Sequence, residues 1–217
     1  MFYYNSEQTV QELIKTTLGD IQNIKRIQGD IDAGWGKNED EKEDWMNDPR
    51  FQEAKEAILN ENKKKLQQLK TRGSDPDGLH PIVVLLGDAS IIQQDVIAPF
   101  KSEVQNDSHY GWDIEFREVE SSLLTKEYVR SLSAPSGKDG GVLFVRNLSL
   151  FSEMYANVND QNQIVRDIMV NPFGGVSTGW RIIFIENTLD KDYSFSNSFV
   201  NSWTKGSAPM VFFVEDN

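Results

Sequence analysis

Four short runs of the 217-residue chain carry almost no polar residue: 81–86 (PIVVLL), 141–145 (GVLFV), 180–185 (WRIIFI) and 209–214 (PMVFFV). A strand with one wet face alternates apolar and polar side chains, whereas a strand covered on both faces does not. These runs therefore read as strands buried on both sides, which requires helices above and below the sheet. A fifth segment, 112–119 (WDIEFREV), alternates as a half-covered strand does. Between the strands, 89–104 has a helical pattern that Pro99 should end or kink. A short helix fits 121–132. Another fits 150–170, with Phe151, Met154, Tyr155, Val158, Ile164, Val165 and Ile168 apolar. Strands alternating with helices predict an α/β fold. The expected form is a three-layer open sheet of five mainly parallel strands near 82–86, 113–118, 142–146, 181–186 and 210–214. A chain of this length buries such a core without disulfides or metals.

The first 72 residues have a different character. Val10, Leu13, Ile14, Leu18, Ile21, Ile24 and Ile27 recur at helical spacing, with Ser6 placed to cap a helix over 6–28. Asp48 followed by Pro49 reads as a second helix start, running to about Lys70. Its apolar stripe (Phe51, Ala54, Ile58, Leu66, Leu69) is thin, and its charges run from acid to base as the helix dipole prefers. Residues 30–48 hold eight acidic residues and two lysines, an acidic linker. A calcium loop starting at Asp30 fails, because Gly34 and Trp35 fall where a ligand and the turn glycine are needed. Trp35 and Trp45 are unusual in a linker and are candidate anchors to a surface or partner. The turn cluster Gly73–Gly78 then divides a helical arm, 1–72, from an α/β domain, 79–217. The stripe of the first helix must be covered by that domain, by a second copy or by another protein. As a detachable arm, its removal should leave the sheet domain folded and impair assembly.

Composition removes whole classes of chemistry. The net charge is −12, so generic nucleic-acid binding by the chain alone is not expected. There is no cysteine, which removes thiolate nucleophiles, zinc–cysteine sites and iron–sulfur clusters. His80 and His109 form no metal-binding spacing. No metal and no cofactor is therefore expected. The first seven residues (MFYYNSE) lack the basic and apolar segments of a signal peptide, and no apolar stretch approaches a membrane span. The expectation is a soluble, intracellular protein, cytoplasmic or in an organelle interior, with no membrane partner, for which the glycosylation pattern at Asn147 has no meaning.

One detail separates the possible α/β folds. After the strand ending at Ile185 comes Glu186, Asn187, Thr188, Leu189 and Asp190. This resembles the sensor-1 segment of AAA+ ATPases, where an apolar strand runs into a Thr-Asn-x-x-Asp type sequence. The resemblance spans about 79–217 and implies the AAA+ strand order, with 82–86 central between 181–186 and 210–214. It places Walker A after 81–86 and Walker B after 141–145. The nucleotide machinery these positions should carry is not there. A P-loop needs glycines, a lysine and a hydroxyl. The chain has Gly87, Asp88 and Ser90, and the aspartate would repel phosphate. Walker B needs acids where Arg146 and Asn147 stand. No arginine follows Arg181, and no segment after Asn217 supplies a helical lid. Asn187 itself also fits a turn former at a strand end.

Two further patterns are decoys. Residues 136–139 (SGKD) precede a strand instead of a helix, so a surface turn fits better than a phosphate loop. Residues 175–179 match G-x-S-x-G but open a strand, and both histidines precede Ser177, so nucleophilic catalysis is not expected. The carboxylate pairs Glu118/Glu120 and Asp190/Asp192 read as solvated surface. Three functions remain. The first is a non-catalytic AAA+-like (pseudo-ATPase) module, acting through protein contacts as a subunit or regulator of a larger assembly. Its partners would be other subunits, active AAA+ ATPases among them, or further copies of itself. The second is a nucleotide-binding protein or enzyme with an unrecognised site at the carboxyl ends of the strands, built from Gly87, Asp88, Ser90, Arg146, Asn147, Glu186 and Asn187. The third, an acidic nucleic-acid mimic, fits poorly, because the acids concentrate in 30–48 and do not tile one face.

Overall fold

The computed structural model of the chain describes residues 2–3, 6–33, 48–71, 82–107, 111–133, 135, 138–155, 157–169, 180–190, 192–203 and 209–215. Trp35, Trp45, both histidines, the 73–78 turn cluster and the 175–179 decoy lie outside them.

The elements are β1 (Phe2–Tyr3), α1 (Ser6–Ala33), α2 (Pro49–Thr71), β2 (Val83–Gly87), α3 (Ala89–Ile91), a π-helical segment (Ile92–Ile97) and α4 (Ala98–Asn106). They continue as β3 (Ile114–Glu120), a 3-10 turn (Ser121–Leu123), α5 (Lys126–Ser131), β4 (Gly140–Arg146), α6 (Leu148–Met154), α7 (Val158–Met169), β5 (Trp180–Asn187), α8 (Tyr193–Ser196), α9 (Ser198–Ser202) and β6 (Met210–Val214). The sheet order is β1-β6-β2-β5-β4-β3, and every pairing is parallel. Four strands fall where the apolar runs predict them, and β3 falls on the alternating segment 112–119. The two-residue β1, paired with Phe212 and Phe213 at the β6 edge, is an addition that two residues of sequence cannot signal.

The apolar runs divide their side chains between two cores. Val84, Leu86, Leu143, Val145, Ile182, Phe184 and Phe213 face α6, α7 and α9. Val83, Leu85, Val142, Phe144, Ile183, Ile185 and Phe212 face α1, the π-helical segment and α4. This is why no alternation is visible in the sequence.

Helix α1 is part of the second core. Val10, Leu13, Leu18 and Ile21 are buried in the same cluster as the strands. Each such side chain contributes about 1.5–3 kcal/mol of burial. The stripe thus finds its cover on the sheet, and α2 lies against α1. Helix α1 also runs on through Asp30 and Asp32, whose carboxylates pair with Arg26 and accept from Gln28. Asp48 caps α2 by accepting from the Arg50 amide at 2.8 Å.

Three helical boundaries differ from expectation. Pro99 does not end its helix, because the π-helical segment precedes it and the Ala98 amide reaches back to the Gln93 carbonyl. The expected helix over 150–170 is two helices, since Asn157 caps the second by accepting from the Asn159 amide. Helices α8 and α9 fall where the sequence reading assigns nothing; Asn197 caps α9 through the Val200 amide. Among the described residues no helix is long and apolar enough to cross a membrane.

Candidate functional site at the carboxyl edge of the sheet

Parallel strands deliver their carboxyl ends, and the helix N-termini that follow, to one edge of the sheet, where open α/β folds bind ligands. Gly87 and Asn187 end β2 and β5 as register partners, and the Gly87 carbonyl accepts from the Thr188 amide at 3.1 Å. Gly87 has φ +150°, and a Cβ there would lie 2.5 Å from the Val214 carbonyl oxygen. The glycine is thus set by the close approach of β6, with no need for a phosphate to explain it.

The helix after β2 begins with its amides already occupied. The Ser90 and Ile91 amides donate to Asp88 Oδ1 at 2.8 and 3.2 Å. The Ala89 amide donates to Asn187 Oδ1 at 3.2 Å. The Ile92 amide continues the helix by donating to the Asp88 carbonyl. A P-loop leaves such amides to the phosphates. Here an aspartate of the chain itself sits where an anion would, and a strand-end asparagine takes the remaining donor. Of the residues singled out from the sequence, Gly87, Asp88, Ser90 and Asn187 therefore meet at one place.

Arg146 and Asn147 go elsewhere. Arg146 bonds to Glu118 and to Gln93 of the π-helical segment, both at 2.7 Å. Lys101 bonds to the other Glu118 oxygen and lies 4.9 Å from the Phe144 ring centroid. Burial opposes the charged form of Glu118, but the hydrogen bonds and charges of Lys101 and Arg146 outweigh it and hold its pKa below the usual carboxylate range. Asn147, at φ 62°, donates to Glu120. The Glu118/Glu120 pair is thus not a merely solvated pair. Its partners sit 17 to 28 residues away, beyond any local pattern.

On the opposite face of the sheet edge, Glu186 is buried and accepts from the Ser149 amide at 2.5 Å, so α6 is also capped by a carboxylate of the chain. The Tyr193 hydroxyl meets Ser149 Oγ at 2.9 Å and Glu186 at 3.4 Å, and it accepts from Asn197 at 2.9 Å. Burial, with the nearby Glu186 charge adding to it, pushes the Tyr193 pKa up to about 12, so the phenol stays neutral. Ser149, Tyr193 and Asn197 were not singled out from the sequence. Tyr193 and Asn197 belong to the short α8 and to the start of α9, where only the Asn-Ser pair signals a cap, and Ser149 lies just before the apolar pattern read over 150–170. Among the described residues no group of three or more acidic or histidine side chains could hold a metal. The polar groups of this edge bond mainly to one another.

No protein-family model matches the chain, and no curated protein matches it in sequence.

Proposed function

We propose that the chain is a non-catalytic AAA+-like module that acts through protein contacts, as a subunit or regulator of a larger assembly. The observation that carries this reading is the helix start after β2. Its Ala89, Ser90 and Ile91 amides bond to Asn187 and Asp88, so the donors a nucleotide phosphate would need are taken. A phosphate would have to displace a carboxylate and then sit beside it, against Coulomb repulsion. The position of β2 between β5 and β6 agrees with the resemblance of the 186–190 segment to sensor 1. The Arg146 guanidinium, where an acid would hold magnesium, is already paired with Glu118, which it shares with Lys101. The test is to purify the tagged, full-length chain at native abundance. A stable heteromeric complex, with no magnesium-dependent ATP hydrolysis by the isolated chain, is the expected result. Turnover by the isolated chain, lost on Asn187→Ala, would overturn the reading.

A further inference from the structure

The sheet ends at β3, which among the described residues pairs with β4 alone, so its outer backbone edge takes no strand. Charged side chains usually protect such an edge from pairing. On β3 they are ordered in a way that permits it. Ile114 and Phe116 face the core under α1 and α4. Glu115 and Arg117, half-buried, lie on the other face and bond to each other. Arg117 Nε and Nη2 both donate to Glu115 Oε1, at 2.7 and 2.6 Å. The guanidinium also lies 4.9 Å from the Trp180 ring centroid. Trp180 reaches it across β4 because its register partner there is Gly141, where a Cβ would fall 2.5 Å from the indole. Both charges are thus fixed beside the edge, and their mutual bond uses one of the two carboxylate oxygens.

A second copy of β3 can add to this edge about a two-fold axis normal to the sheet, which makes the two strands antiparallel and keeps like faces together. The residue on the axis then fixes the register. With Glu115, Arg117, Glu118 or Glu120 on the axis, that residue meets its own charge. With Ile114 there, Asp113 meets Glu115, and with Val119 there, Glu118 meets Glu120. Phe116 is the one residue of β3 that, placed on the axis, opposes no like charges. Glu115 then faces Arg117 of the second copy, Arg117 faces Glu115 of the second copy, the two Phe116 rings meet, and Ile114 faces Glu118. Opposite charges and aromatic rings directly across two strands attract. We propose that β3 pairs with β3 of a second copy in this register, joining two six-stranded sheets edge to edge through reciprocal Glu115–Arg117 pairs. The net charge of −12 on each chain opposes the approach, but at 0.1 M salt it is screened beyond about 10 Å. A single strand of seven residues gives a small interface, so the dimer is weak and reversible. The inference goes beyond the pseudo-ATPase reading and does not depend on it.

The test is sedimentation equilibrium of the full-length chain in about 0.15 M salt. Monomer and dimer are expected, with a dissociation constant of about 10–100 μM. Arg117→Glu and Glu115→Arg, each alone, set two like pairs across the axis and should weaken self-association at least about tenfold. The melting temperature of each variant checks that it is folded. Mixed in equal amounts, the two single variants should form a heterodimer about as strong as the unaltered dimer, because every cross-strand pair is again of opposite sign. Both exchanges in one chain should restore self-association for the same reason. A chain that stays monomeric up to about 1 mM would overturn the proposal. So would a dimer that Arg117→Glu leaves unchanged, or single variants that do not recover on mixing.

Discussion

Asn187 Oδ1 lies 3.2 Å from the Ala89 backbone nitrogen and accepts its hydrogen, so the last residue of β5 caps the helix that begins after β2. Together with Asp88 it closes the position at which this architecture would receive an anion. Asp88→Ala should cost about 1 kcal/mol through the lost cap, and Asn187→Ala about 0.5–1.5 kcal/mol. For a chain of this size that is a fall of about 2–4 °C in melting temperature per kcal/mol, measured by scanning calorimetry. If either variant melts as the unaltered chain does, the cap is not structural.

Glu118 sets an acid-side dependence. Its pKa is lowered in the folded state, so its pairing stabilises fully above the unfolded value of about 4.3 and is lost as pH falls below that. Because the group is partly exposed, the effect should be at most about 1 kcal/mol. Glu118→Gln should lower stability at neutral pH, by an amount that shrinks as pH falls through the acid range. Urea unfolding over a series of pH values checks the sign. A loss that does not change with pH would assign the effect to packing.

Tyr193 sets the alkaline side. A pKa raised from its ordinary value of about 10 to about 12 means that its contribution is whole below pH 10 and is lost as pH rises towards 12. Ultraviolet titration of the folded protein should show its phenolate forming late. Tyr193→Phe should remove that late component and flatten the loss of stability over the same range.

The placement of α1 makes Leu13 and Leu18 core residues, fully buried beside the strands. Leu13→Ala or Leu18→Ala should each cost about 2–5 kcal/mol by leaving a cavity. Removing residues 1–33 should expose one face of the sheet and cause aggregation. A soluble truncated chain with an unchanged melting temperature would instead favour a detachable arm.

The strands were legible because side chains buried on both faces leave an unbroken apolar run, as at 81–86 and 141–145. The cover on α1 was not, since a stripe such as Leu13–Leu18–Ile21 states that it needs burial without stating against what. The start of the plugged site was legible in Asp88, whose charge argues against phosphate. Its completion was not: Asn187 reaches Ala89 across 98 residues of sequence, and only the register of β2 with β5 brings them together. Glu118 was passed over for the same reason, because Lys101 and Arg146 come from the helix behind it and the strand beside it.

The most direct test is isothermal titration of the full-length chain with ATP and magnesium. With Asp88 and Asn187 on the amides that open the helix, no binding heat is expected at micromolar concentration. A dissociation constant below about 10 μM, close to 7 kcal/mol of binding free energy, would contradict the account.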